Sequence, residues 1–402
     1  MELNVIDSIM GSGKTSWAID KMNNDDENNY IYITPFLSEV ERIKTSVTTK
    51  KFYEPKNIGE GKLDSLHKLI VQGKNIASTH ALFKMATEET ISLLRSNDYI
   101  LILDEVMEVV APIPLKKNDL DILFTNELIR VDTNNNNLVI WNEDKLNWET
   151  QYDALRRQCI CKNVFMVNKV LLMWTFPIDV FNSFKEVYIL TYLFDGQIQR
   201  YYYDLYDIDY EYKSVYCDIN GKYVLGDYIE SYDLSEIKSK INILDDKINT
   251  IGDVRTSLSK SWFERPGNNM MIAQLKRNTE NYFINKLKSK SNDNMWTVFK
   301  SAKNKVKGQR YTKGFVSLGS RATNNYCDKF NLAYLSNIFI NPIIKQFFIE
   351  RSIAVNEDIY ALSELLQWVY RSRIRKGESI NLYIPSLRMR TLLIDWLDGK
   401  IK

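Results

Sequence analysis

The stretch Ser8-Ile9-Met10-Gly11-Ser12-Gly13-Lys14-Thr15, placed directly after the apolar run Leu3-Asn4-Val5-Ile6, constrains this chain more than any other feature. A strand that stops at a Gly-Ser-Gly turn and restarts as a helix from Ser16-Trp17-Ala18-Ile19 leaves several backbone N–H groups facing one concavity. Such a concavity suits phosphate. In this reading Met10 to Ser16 form the cradle. Gly11 and Gly13 let the backbone approach phosphate oxygens, Lys14 reaches the β- and γ-phosphates, and the Thr15 hydroxyl ligates Mg2+.

Downstream, strand and helix signals alternate as in a parallel α/β sheet. Tyr30-Ile31-Tyr32-Ile33 stops at Thr34-Pro35, and Lys74 to Thr79 runs into His80-Ala81-Leu82-Phe83. Tyr99-Ile100-Leu101-Ile102-Leu103 leads straight into Asp104-Glu105. A continuous apolar run implies a strand covered on both faces, and ligands bind at the carboxyl end of such strands. Asp104 is therefore placed to hold Mg2+ and Glu105 to orient or deprotonate an attacking water. Residues 115–160 read as an excursion from the sheet, with a β-hairpin from Leu128-Ile129-Arg130-Val131 and Leu138-Val139-Ile140-Trp141. The sheet resumes at Glu186 to Leu190, ending in Thr191. Tyr201 to Asp253, with the turn signal Asn220-Gly221, reads as a crossing between domains plus a hairpin.

The formal charge of +2 conceals an asymmetry. Residues 251–402 carry 26 Lys+Arg against 12 Asp+Glu, while residues 1–250 carry 27 against 39. Eleven of the basic residues fall between Lys276 and Lys313, interleaved with Tyr282, Phe283, Trp296, Phe299 and Tyr311. Cations alternating with aromatic rings suit a polyanion whose bases stack, and the plainer reading is a solvated helix face. In this half Met295 to Phe299, Gly314 to Leu318, Leu332 to Leu335 and Ser379 to Ile384 read as strands. Asp358 to Arg375 has helical spacing, which would put Arg371 one turn after Gln367 on the same face. Arginines there could stabilise charge on a γ-phosphate, although basic residues also suit a helix C-terminus for electrostatic reasons.

The succession Ser8…Gly13-Lys14-Thr15, Thr34-Pro35, Ser78-Thr79-His80, Asp104-Glu105-Val106-Met107, Leu190-Thr191, Ser320-Arg321-Ala322-Thr323-Asn324 and Gln367…Arg371-Ser372-Arg373-Ile374-Arg375 resembles the motifs of superfamily 2 helicases. The likeness is to the DEAD/DEAH-like helicases of tailed bacteriophages and covers nearly the whole chain. It implies an α/β fold of two RecA-like domains, parallel sheets flanked by helices, with a nucleotide cleft between them and a small β-hairpin insertion. The expected boundaries are 1–205 for the first domain, 206–255 for a linker and hairpin, and 256–402 for the second. The resemblance further implies an ATP hydrolase using ATP and Mg2+, with Lys14, Glu105, Gln367, Arg371, Arg373 and Arg375 as catalytic residues. Thr34, Pro35, Ser78, Thr79, His80, Arg321, Thr323 and Asn324 would touch a nucleic acid, single-stranded DNA foremost. Thr191 would couple hydrolysis to movement, in phage replication or recombination and alongside replication proteins. The sequence departs from the pattern at Ser8, where the consensus has Gly or another small residue, and at Val106-Met107, where Ala-His or Ala-Asp is usual. It departs again at Ile374, which holds the usual last-arginine position, so that Arg373 or Arg375 must substitute.

Other classes fit less of the chain. A P-loop nucleoside or nucleotide kinase needs no basic second domain. A packaging motor would need a nuclease cluster of acids, and an ATPase switch or loader would act on a protein partner without unwinding. The four cysteines and two histidines lack zinc spacing, so structural zinc is not expected. No apolar run approaches the ~20 residues of a membrane span, which with the direct start in a strand leads to the expectation of a cytoplasmic protein without membrane partners.

Overall fold

The computed structural model describes residues 1–401 apart from 58, 60 and 320–325. The chain separates into two units, one of Met1–Ser8, Gly13–Asp227 and Asn341–Val355, the other of Ile9–Ser12, Tyr228–Ile340 and Asn356–Lys402. In chain order the strands of the first are β1 (Glu2–Asp7), β2 (Asn29–Thr34), β3 (Phe52–Tyr53), β4 (Asn75–Thr79), β5 (Tyr99–Asp104), β6 (Val110–Ile113), β7 (Ile129–Asp132), β8 (Leu138–Trp141), β9 (Val164–Val167), β10 (Leu171–Thr175), β11 (Glu186–Thr191), β12 (Glu211–Cys217) and β13 (Tyr223–Asp227).

Eight of these make one sheet in the order β13-β12-β1-β11-β5-β2-β4-β3. Every neighbouring pair is parallel except the β12–β13 hairpin. The apolar runs explain why. Ile6, Tyr30, Tyr32, Ile100, Ile102 and Leu190 point to one face and pack under Trp17, Ala18 and Met22 of α1 (Lys14–Asn23) and under Val40 and Ile43 of the helix Leu37–Ser46. The alternate residues Val5, Ile31, Ile33, Leu101, Leu103 and Ile189 are buried too. A strand apolar at every position is stable only when both its faces are covered, and each such side chain contributes roughly 1.5–3 kcal/mol.

The excursion is larger than a hairpin. β7 and β8 pair as expected, but they belong to a five-stranded antiparallel sheet, β6-β10-β9-β8-β7, spanning residues 110–175. Its core joins Val139, Trp141, Val164 and Leu172 to Leu120, Leu123 and Leu155 of two helices. The segment Asn341–Val355 also packs in this unit. Its helix Pro342–Ile349 sets Phe347 6.0 Å from Phe165 and Phe348 5.6 Å from Tyr201, ring centroid to ring centroid. Arg351 lies 4.0 Å above the Phe347 ring and donates to the Asn136 carbonyl at 2.6 Å. Residues 206–255, expected as a linker with a hairpin, supply β12, β13 and the strand β14 (Ile241–Ile243) of the other unit.

The second unit holds a parallel sheet, β14-β17-β16-β15, with β15 (Asn294–Thr297), β16 (Asn331–Tyr334) and β17 (Ile380–Tyr383). Two expectations change here. Gly314 to Leu318 is not a strand: Phe315 makes a single bridge to Trp296, and Gly314 sits so close to the Asn294 carbonyl that a Cβ would lie 2.1 Å from its oxygen. Of the aromatic residues interleaved with the basic stripe, Tyr282, Phe283, Trp296 and Tyr311 are buried in the core with Trp262, Leu275 and Ala333. Only Phe299 keeps some surface, so these rings do not offer a stacking track; the cations Lys288, Lys290, Lys300, Lys305, Lys307, Arg310 and Lys313 are exposed around them. The interleaving is that of segments with one inward and one outward face. Among the described residues no helix is long and apolar enough to cross a membrane.

Candidate active site

The β1-to-α1 turn has the backbone that a phosphate cradle requires. Gly11 and Gly13 have φ of 86° and 92°, a region that side chains with a Cβ rarely enter. Gly13 is needed twice over, since a Cβ there would lie 2.1 Å from ring carbons of Tyr223 on β13. At Gly11 the same position faces open space. Lys14 folds back over the turn and donates to the Ser8 carbonyl at 2.6 Å.

Ser8, the departure from the consensus, is fully buried. Its Oγ accepts the Val215 N–H at 2.9 Å, two residues beyond the last β1–β12 ladder pair, Ile6 with Lys213. The hydroxyl thus continues a strand pairing that glycine could not. Beside it Asp7, on the last residue of β1, accepts the N–H groups of Leu193 at 2.8 Å and Phe194 at 2.9 Å. That carboxylate anchors the turn following Thr191 to the strand carrying the cradle. Burial pushes Asp7 up to about 6, against the lowering effect of those two N–H groups and of the Lys14 charge.

The acid pair lies at the carboxyl end of β5, separated from β1 by β11 alone. Asp104 retains some solvent surface, but its carboxyl is ringed by protein, and burial with the neighbouring Glu105 charge pushes it up to about 7. The Tyr32 hydroxyl beside it and the Lys14 charge act in the opposite sense. The Lys14 charge thus acts on Asp104 as it does on Asp7. Glu105 has φ of 66°, a left-handed conformation costing a non-glycine residue roughly 1–2 kcal/mol. Its N–H is held by the Leu190 carbonyl at 3.0 Å. Val106 and Met107 turn inward and are buried, and the Met107 N–H donates to Oε1 of the buried Gln199 at 2.9 Å.

These groups fit a nucleoside triphosphate with Mg2+. Hydroxyl oxygens of Thr34 and Thr191, at the carboxyl ends of β2 and β11, are buried without a hydrogen-bond partner among the described residues, which leaves them available to a ligand there. Lys14 and the turn N–H groups could hold phosphates; Thr15 and Asp104 could hold the metal.

Other expected residues are placed differently. Thr34 and Ser78 are buried, so among Thr34, Pro35, Ser78, Thr79 and His80 only Pro35, Thr79 and His80 present surface, and the His80 Nε2 lies 3.2 Å from the Asp104 carbonyl oxygen. Arg321, Thr323 and Asn324 fall outside the described residues. The helix carrying Gln367 spans Glu357–Val369 and stops there, so Arg371 does not follow Gln367 along one helical face. Ser372 ends the run by capping a new turn, Arg373–Lys376, through its Oγ and the Ile374 N–H. Arg371 is buried, with its charge acting on the Tyr334 hydroxyl. Arg373 stacks 4.2 Å over Phe330 and donates to the Ser379 carbonyl at 2.9 Å, with Glu378 3.3 Å away. Arg375 alone of the three is exposed. Asp7, Tyr32, Gln199 and Tyr223 carry no local motif, and only the pairing of distant segments reveals them.

Comparison with known proteins bears on the whole chain. Residues 110–174 match the family described as the YonV middle domain, and residues 235–397 match the YonV C-terminal Rossmann-like domain. Among solved structures, S. tokodaii Xpd4 superposes with a TM-score of 0.49 at 10% identity, covering 100% of this chain and 94% of that one. An XPD helicase gives 0.46 at 10% identity, covering 100% and 96%. A curated relative, the SPbeta prophage-derived uncharacterized protein YonV of Bacillus subtilis (strain 168), is 48% identical over 412 residues, covering 99% of each chain. The chain therefore belongs to the YonV family.

Proposed function

We propose that this protein is an ATP-dependent nucleic-acid translocase of the superfamily 2 helicase type, hydrolysing ATP to move along single-stranded DNA. The observation that carries the reading is placement: the lysine of a phosphate-binding turn follows β1, and the Asp104-Glu105 pair follows β5, at the carboxyl ends of parallel strands with only β11 between them. Lys14 and the N–H groups of the cradle bind the β- and γ-phosphates. Thr15 and Asp104 would hold Mg2+, which would neutralise phosphate charge there. Glu105, held in its left-handed conformation, orients the attacking water and takes its proton. Thr191 lies opposite Asp7 in the β1–β11 register, so a shift of the cradle is passed to the turn that Asp7 anchors. Of the three arginines expected to act on phosphate, Arg375 is the solvent-exposed one and is the candidate for that role. Exposed cations between Lys288 and Lys313 supply a salt-sensitive grip on the polyanion. The prophage origin of the relative fits a role in replicating or recombining phage DNA.

The test is the ATPase rate of the purified protein and of Lys14→Ala, with and without single-stranded DNA, single-stranded RNA and duplex. Stimulation by single-stranded DNA and loss of turnover in the variant, with its circular dichroism unchanged, are expected. Turnover in Lys14→Ala at the parent rate refutes the site, and hydrolysis indifferent to every nucleic acid refutes the track.

A further inference from the structure

A cavity of about 470 Å3 lies within the first unit, where the turn after β4 meets the middle sheet. It is lined by Lys84, Pro112, Gln151, Leu155, Gln158 and Trp174 among others. Its volume falls in the range of small-ligand pockets, and its walls follow their pattern, apolar surface with a few convergent polar groups. The charge is already spent inside the protein: the Lys84 ammonium pairs with Glu108 and sits 5.7 Å over the Trp174 ring. The Tyr152 hydroxyl is likewise engaged, by Asp119 at 3.0 Å. What remains is the exposed part of a half-buried indole, the half-buried Gln158 amide and the exposed Gln151 amide at the rim, neither amide hydrogen-bonded among the described residues.

An indole face with two free amides and no unpaired charge suits a flat, uncharged ring with donors and acceptors on its edge, and it does not suit a phosphate. Position supplies the rest. The Lys84 N–H donates to the His80 carbonyl at 2.9 Å, so the cavity begins one helical turn from the carboxyl end of β4, where Thr79 and His80 present surface. We propose that this cavity is a nucleobase pocket: it takes one unstacked base from the single strand, with Trp174 as the stacking surface and the amides of Gln151 and Gln158 reading the base edge. The proposal rests on the reading that single-stranded DNA passes the end of β4. It adds that the middle domain grips bases, whereas contacts at the sheet grip the backbone.

The experiment uses the full chain and an oligothymidine, followed by fluorescence anisotropy, alongside the same oligonucleotide with its central bases replaced by abasic sites. The wild type should bind the abasic strand about 10-fold more weakly, the size of one stacking contact. Trp174→Ala and Gln158→Ala should lose affinity for the intact strand and abolish the distinction between the two strands. Trp174→Phe should retain most of it, which guards against misreading a folding defect in Trp174→Ala. An oligonucleotide carrying 5-iodouracil, crosslinked with ultraviolet light and mapped by mass spectrometry, should label Trp174. Equal binding of both strands by the wild type, or variants that still distinguish them with crosslinks elsewhere, overturns the pocket while leaving the translocase reading intact. No binding of either strand by the wild type overturns both.

Discussion

Replacing Ser8 by glycine, the residue expected at that position of a phosphate-binding loop, should weaken the protein. Ser8 is fully buried, and its Oγ is the acceptor for the Val215 N–H at 2.9 Å, just past the end of the β1–β12 ladder. In Ser8→Gly that N–H stays buried and loses its partner, which costs about 1–3 kcal/mol. The added freedom of glycine in the unfolded chain raises the loss by up to about 1 kcal/mol. The total is a large part of a stability that for a typical domain is about 5–15 kcal/mol. Urea denaturation should show a lower midpoint for Ser8→Gly and, by the hydrogen-bond component alone, for Ser8→Ala. Hydrogen exchange at the Val215 amide should accelerate in both, while nucleotide affinity measured well below the midpoint should be retained. If Ser8→Gly matches the parent in midpoint and in exchange at Val215, the hydroxyl is not holding the β12–β13 hairpin. If it loses nucleotide binding with no change in stability, Ser8 belongs to the cradle and the structural assignment is refuted.

The two cradle glycines should differ under the same substitution. Gly13→Ala meets the Tyr223 ring as well as the left-handed backbone, whereas Gly11→Ala meets only the backbone cost of roughly 1–2 kcal/mol, so thermal denaturation should rank Gly13→Ala clearly the less stable. Asp7 makes stability depend on pH. Its carboxyl is raised from 3.8 to about 6 by burial, so between those values the folded state binds more protons than the unfolded chain, and stability falls as pH rises through the window. The span corresponds to about 3 kcal/mol. Urea titrations at pH 4 and pH 7 should show the wild type losing stability relative to Asp7→Asn by that order, and parallel pH profiles would refute the assignment.

The fold was legible where burial is written into consecutive residues. Tyr99 to Leu103 is apolar at every position because both faces of β5 are buried, and the strands Asn331–Tyr334 and Ile380–Tyr383 show themselves in the same way. The middle sheet was legible only as far as its hairpin. β6, β9 and β10 are four or five residues long, and β6 contains Pro112, so none presents enough alternation to be recognised before its partners are known. The helix Pro342–Ile349 is an ordinary helix in sequence, and nothing local says that Phe347 and Arg351 belong against Phe165 and Asn136. The aromatic stripe misled for a related reason. Alternation of cations with rings is produced equally by a track for bases and by a core segment with a solvated outer face, and only the burial of Trp296 and Tyr311 separates the two.

Two of the departures from the expected motifs, at Ser8 and at Val106-Met107, have a common physical origin. At Ser8 the residue that breaks the consensus is the one whose side chain receives the N–H of Val215, and at Val106-Met107 the inward turn is held by Gln199. In each case the partner comes from a late segment of the same unit, the hairpin strand β12 or the helix Ile198–Leu205, which must be secured to the strands that carry the chemistry. A glycine at position 8 would free the hairpin whose Tyr223 packs on Gly13, and a histidine or aspartate at 107 would enter a buried site where Gln199 is already bonded to Tyr203. The two substitutions are thus requirements of how this chain closes its sheet around the cradle. They leave untouched the atoms that chemistry would need, the Lys14 ammonium and the carboxylates of Asp104 and Glu105, which is why the local motif stays readable although its borders do not conform.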